Sequence, residues 1–181
     1  MTVVVRETKE TTIRCELVKG TGRATVATGQ PFLDHMLVAF AKYSGLDLTV
    51  EATGDLAHHL IEDVAICVGA AVAGLLPATA ARYGDRTIPM DEALVQCAID
   101  HGGRPYYRGP IPSSLYDHWM RSFSDNARAT LHLRVIRGTD RHHIVEAAFK
   151  ALGLAVRDAF VESDAVFSTK GNVALRVEDD A

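Results

Sequence analysis

Six of the chain's eight histidines fall into two matched sets. His35 and His118 sit in LDHMLVAF and YDHWMRSF, while HHLIE (58–62) and HHIVE (142–146) each open a long apolar stretch. On a helix, residues i and i+4 share a face, so His58 with Glu62, and His142 with Glu146, can each grip one ion. His59 and His143 are turned about 100° from their neighbours and must face something else. An ion held by the other repeat is the natural candidate. The full set is His35, His58, His59, Glu62, His118, His142, His143 and Glu146. Divided by symmetry, it gives three imidazoles and one carboxylate to each of two ions. An octahedral ion then keeps open positions for substrate or water. Imidazole and carboxylate without thiolate suit Mn2+, Fe2+, Zn2+ or Ni2+, and open octahedral sites lean toward Mn2+.

The spacing implies duplication. His35 and His118 are 83 residues apart, as are Phe40 and Phe123. His58 and His142 are 84 apart, as are Glu62 and Glu146. The order DH, short helix, strand, HHxxE, long helix therefore occurs twice.

The elements that must position these side chains follow from periodicity. VVVRET and TTIRCELV read as β-branched strands. Pro31 opens a helix through Phe32, Met36, Leu37 and Phe40. LDLTVEA alternates as a strand, and a helix runs from about Leu60 to Leu76, stopping near Pro77. In the second half ALVQCAID is a strand and GGRPYY begins the next. SLYDHWMRSFSDN is a helix, ATLHLRVI a strand and RHHIVEAAFKALGLAVRDAF a long helix. Each unit reads β-β-α-β-α, joined by a loop PATAARYGDRTIP. The fold class is α+β, with two antiparallel sheets and the helices packed between them in one domain. Its two repeats are residues 1–84 and 85–172. VEDDA reads as a solvated tail.

Composition narrows the function classes. The chain has 181 residues, 48% hydrophobic, with a net charge of −4, enough for one well-buried domain and without a basic stripe for nucleic acid. No apolar run is expected to reach the roughly 20 residues of a membrane span. The start, MTVVVRETKETTIR, lacks the order of a signal peptide. Cys15, Cys67 and Cys97 read as buried free thiols, suited to a reducing cytoplasm. His132 reads as a strand residue without a ligand role, and His101 as structural.

Seven motifs in order carry a resemblance: RETKET, PFLDHML, HHxxEDVAI, PMDEAL, GGRPY, RGxxxHHIVEAAFKALxxAxRDA and STKG. From about Arg6 to Gly171 the chain is similar to the imidazoleglycerol-phosphate dehydratase family. The resemblance implies a fold like ribosomal protein S5 domain 2. It implies dehydration of imidazole-glycerol phosphate to imidazole-acetol phosphate, in histidine biosynthesis, with two Mn2+ ions per active site. It further implies a cubic homo-oligomer built from trimers, a 24-mer, with metals between subunits. The metal ligands it implies are the eight residues selected by the repeat. The phosphate-binding positions it implies are Arg82, Arg104, Lys150, Ser168, Thr169 and Lys170, with Glu10 near the reacting end of the substrate. Phosphate recognition by cations and hydroxyls is chemically apt. Glu10 and Glu146 are the candidates for moving the proton. Asp91 and Glu92 read as a strand-start acidic pair, or else as support for the site.

The chain also departs from the family pattern. GDLAHH is about three residues shorter than the usual stretch and lacks two aspartates before the histidine pair, residues able to orient imidazoles. Tyr43 stands where a histidine is frequent, and His101 and Gly102 where Leu and Ser are more usual. Without the resemblance, a dinuclear metallo-phosphoesterase or a non-catalytic, metal-dependent assembly protein would fit the same residues.

Overall fold

A computed structural model describes residues 1–163 and 168–169. The first half forms β1 (Thr2–Glu7), β2 (Thr11–Lys19), β3 (Ala24–Ala27), α1 (Pro31–Ser44), β4 (Leu46–Gly54) and α2 (Ala57–Leu75). The second forms β5 (Tyr83–Met90), β6 (Ala93–Asp100), β7 (Tyr106–Arg108), α3 (Ser114–Asn126), β8 (Thr130–Arg137) and α4 (Arg141–Ala159). The two four-stranded sheets have matching orders, β1-β2-β4-β3 and β5-β6-β8-β7.

Alternation builds the sheets. In β2 Ile13, Cys15 and Leu17 point inward while Arg14 and Glu16 point out; Val95, Cys97 and Ile99 do the same inward work in β6. Two expectations need correction. The sheets are mixed rather than antiparallel, because β3 pairs parallel with β4 and β7 parallel with β8. A helix connects each of these pairs, and a crossover of that kind returns the chain in the same direction. The unit is also β-β-β-α-β-α. The short β3 carries too few residues to show a period, and β5 occupies much of the segment expected to be a loop, with a polar run of Asp85, Arg86 and Thr87, exposed on both faces, that hides its alternation.

The helices lie between the sheets, with α1 packed on α4 and α2 on α3, so each helix pair joins the two halves. Gly69 and Gly153 make the approaches possible. A Cβ on Gly69 would lie 2.5 Å from the Phe123 carbonyl oxygen, and one on Gly153 2.9 Å from that of Phe40. Phe40 and Phe123 meet at 6.0 Å near the centre, and Trp119 stacks on Phe123. The helix α2, with a hydropathy of 1.4 over 19 residues, is long and apolar enough for a membrane span by length and composition, contrary to the sequence expectation. Its apolar residues from Leu60 to Val72 instead pack into the core. All three cysteines are buried free thiols, and burial pushes Cys15 and Cys67 up to about 12 and about 11.

Candidate metal centre

The helix pairs bring the histidines together across the halves. His35 from α1 joins His142 and Glu146 from α4, and His118 from α3 joins His58 and Glu62 from α2. His35 Nε2 and His142 Nε2 each lie 3.1 Å from Glu146 Oε2. His118 Nε2 lies 3.2 Å from Glu62 Oε1 and His58 Nε2 3.7 Å from Glu62 Oε2. Each DH histidine therefore serves the HHxxE helix of the other half.

The two groups differ in burial. The Glu146 side chain is 9% exposed and Glu62 35%. Burial pushes the Glu146 carboxyl up, but the Lys150 ammonium and His35 outweigh it, so its pKa stays below the usual carboxylate value. Lys150 Nζ lies 2.9 Å from Glu146 Oε1 and over the Tyr43 ring.

The donor sets fit a divalent ion. Two imidazole nitrogens and a carboxylate oxygen converge within 4.8 Å of one another in each group. His118 Nε2 is buried, 3.2 Å from Glu62 Oε1 but without a well-aligned hydrogen bond among the described residues, as suits an atom that shares an ion with that carboxylate.

His59 and His143 stand outside these groups, so one chain assembles three of the four expected donors per ion. Adjacent positions on a helix diverge, and both rings face the helix-entry side instead. His59 Nδ1 lies 2.9 Å from Asp55 Oδ1 and 3.5 Å from Glu10 Oε2. Thus the shortened GDLAHH approach still presents an aspartate to the pair. Its Asp55–His59 spacing of i,i+4 was a readable signal that the sequence reading missed. His143 Nδ1 lies 2.7 Å from Glu92 Oε2. The hydrogen bond to His143, with those from backbone N–H groups, pulls the Glu92 carboxyl down to about 2. Glu92 stands 82 residues after Glu10, close to the repeat spacing, which marks it as more than a strand-start acid.

The phosphate candidates divide between two places. Lys150 touches Met90 at one end of β5, beside the Glu146 group. Arg82 precedes the other end of β5 and is ion-paired with Asp100 at 2.9 Å. A strand of this length spans roughly 25 Å, so Arg82 and Lys150 of one chain do not share a phosphate. The Arg104 carbonyl accepts from Thr130 at the Arg82 end, since Thr130 pairs with Asp100. Ser168 is half-buried and Thr169 exposed, and Lys170 lies outside the described residues.

His101 is buried against Phe160, and neither ring nitrogen has a hydrogen bond among the described residues. His132 lies on β8 beside the Tyr106 ring, away from both groups. A cleft of about 530 Å³ opens beside His142, lined by Phe32, Ser113, Tyr116, Asp140 and Arg141.

The family model for imidazoleglycerol-phosphate dehydratase matches residues 28–156, a span holding all eight candidate ligands. The chain belongs to the imidazoleglycerol-phosphate dehydratase family. It is 45% identical to the dehydratase of a Parafrankia species, over 93% of this chain and 96% of that one. It is 46% identical to that of Pyrobaculum calidifontis, over 92% and 96%. The crystal structure of the Pyrococcus furiosus dehydratase superposes with a TM-score of 0.86 at 41% identity, covering 94% of this chain and all of that one. The Staphylococcus aureus dehydratase gives 0.77 at 32% identity, covering 90% of this chain and all of that one. The α+β fold of this family is therefore the fold of the chain.

Proposed function

We propose that the two cross-half His/Glu groups hold Mn2+ ions and that the chain dehydrates imidazole-glycerol phosphate to imidazole-acetol phosphate. As a member of this family it is a carbon–oxygen hydro-lyase of histidine biosynthesis, acting on a small molecule. The observation that carries the metal reading is the convergence of two imidazoles and one carboxylate at each of two helix-pair ends.

Bound ions supply Lewis acidity toward the substrate's imidazole and hydroxyl oxygens. The chain's residues do the rest. Glu10, with a side chain 58% exposed beside His59, is placed to take or return the proton of a reacting carbon. Glu146, held ionised by Lys150 and His35, is better suited to gripping an ion than to carrying a proton. Arg82, Arg104, Lys150, Ser168, Thr169 and Lys170 supply the phosphate with cations and hydroxyls.

A homo-oligomer built from trimers, a 24-mer, with sites between subunits fits two features. Each group has three donors within one chain, while His59 and His143 stand apart from both groups and can offer a fourth to a neighbour's ion. Arg82 and Lys150 lie too far apart in one chain to meet on one phosphate. In this reading the chain is one duplicated domain, residues 1–84 and 85–172, working in the cytoplasm without nucleic acid or membrane.

The test is the assay of a chelator-stripped sample with and without added Mn2+. Imidazole-acetol phosphate should form only with the ion. Release of free phosphate instead would favour a metallo-phosphoesterase, and Mn2+-driven assembly without product a non-catalytic role.

A further inference from the structure

The two histidines outside the metal groups, His59 and His143, are held by carboxylates from different places. His59 is held by Asp55, from the approach to its own helix, at 2.9 Å. His143 is held by Glu92, from the turn between β5 and β6, at 2.7 Å. In the second half Thr139 stands at the matching repeat position, and the next residue, Asp140, caps α4, accepting from His142 N at 2.7 Å and His143 N at 3.4 Å. The counterpart of Glu92 in the first half is Glu10, whose carboxylate stands 3.5 Å from His59.

The turns that carry Glu10 and Glu92 differ in length. Residues 8–10 connect β1 to β2, whereas Asp91 and Glu92 alone connect β5 to β6. The longer turn lets the Glu10 backbone carbonyl accept from Asp55 N at 3.0 Å. In the shorter one the side chain must do this: Glu92 Oε1 accepts from Asp140 N at 2.8 Å and Thr139 N at 3.1 Å, and Oε2 from His143. Glu92 is thereby fixed, while the Asp55 carboxylate meets His59 Nδ1 and accepts from Leu56 N at 2.7 Å.

An ionised carboxylate only accepts hydrogen bonds, so in its neutral form each histidine carries its proton on Nδ1 and keeps the Nε2 lone pair for another partner. His143 Nε2 faces the exposed Asp91 carboxylate at 3.6 Å, beyond hydrogen-bonding distance. We propose that Asp55 and Glu92 are positioning residues that fix His59 and His143 as Nε2 metal ligands. This rests on the reading of His59 and His143 as ligands.

Mn2+ titration of the assembled full-length protein, followed by the paramagnetic resonance signal of the free ion, tests it. Asp55→Leu and Glu92→Leu should each weaken one class of bound Mn2+ by roughly 10–100-fold, while Glu10→Leu changes affinity by less than about twofold. Asp55→Asn and Glu92→Gln keep an amide oxygen that accepts from Nδ1–H, and should recover most of the lost affinity. His59→Ala and His143→Ala separate the two levels of the argument. If they bind Mn2+ like the parent, the ligand reading fails. If they lose ions while Asp55→Leu binds normally, or if Glu10→Leu weakens binding as much as Asp55→Leu, the positioning roles are overturned. Where Glu92→Leu does not fold, the Asp55 variants decide, because Asp55 caps no helix.

Discussion

His118 of α3 faces Glu62 of α2 at 3.2 Å, joining a ligand of the second half to one of the first. His35 and Glu146 repeat this relationship in the opposite sense at 3.1 Å. Each carboxylate thus completes its group only because the halves are packed together. Glu62→Gln and Glu146→Gln should each abolish one class of bound ion and lower turnover by at least about 100-fold, the upper end of what outer-shell changes cost. Elemental analysis of desalted protein checks the metal count.

Glu10→Gln separates proton transfer from metal binding. Turnover should fall by roughly 100- to 10,000-fold, the range of a lost general acid or base. Metal content and assembly should stay as in the parent, read by elemental analysis and size-exclusion chromatography. Near-normal turnover would remove Glu10 from the proton-transfer role.

Gly69 and Gly153 lie where helices of opposite halves cross, each beneath a backbone carbonyl that a Cβ would press upon. Backbone yields less readily than a side chain tip. Alanine at either position should destabilise the fold by about 1–3 kcal/mol. Denaturant melts of the two variants should show similar losses, since the crossings are equivalent.

His101 sets a pH dependence. Burial lowers its pKa from 6.5 to about 4, opposed by the Ala127 backbone and the Asp100 charge. The unfolded chain binds a proton near pH 6.5 while the folded protein resists it. Stability is therefore full above that pH and falls as pH drops toward 4. The loss approaches about 3 kcal/mol once pH is below both values. His101→Leu should be more stable than the parent under acid conditions and should flatten this dependence. Unfolding midpoints of both proteins, stripped of metal and compared across this range, give the difference due to His101 alone.

Much of this molecule follows from local pattern. The helix of residues 114–126 was readable to its ends, because YDHWMRSF presents its apolar residues at helical spacing. The eight ligand candidates emerged from two matched spacings, since a metal-binding pair on a helix needs i and i+4 and a duplication writes it twice. The strand β3 and the partly polar β5 were not readable, because their pairing is set by partners distant in sequence.

The sequence by itself determined the donor types, their pairing along each helix and the doubling of the whole set. Only the tertiary structure decided which DH histidine meets which HHxxE helix. That choice comes from the packing of α1 on α4 and α2 on α3, a long-range result that no local period encodes. The fold also decided which carboxylate holds each remaining histidine, Asp55 for His59 and Glu92 for His143, because one turn is a residue longer than its counterpart and directs a backbone carbonyl where the other must send a side chain.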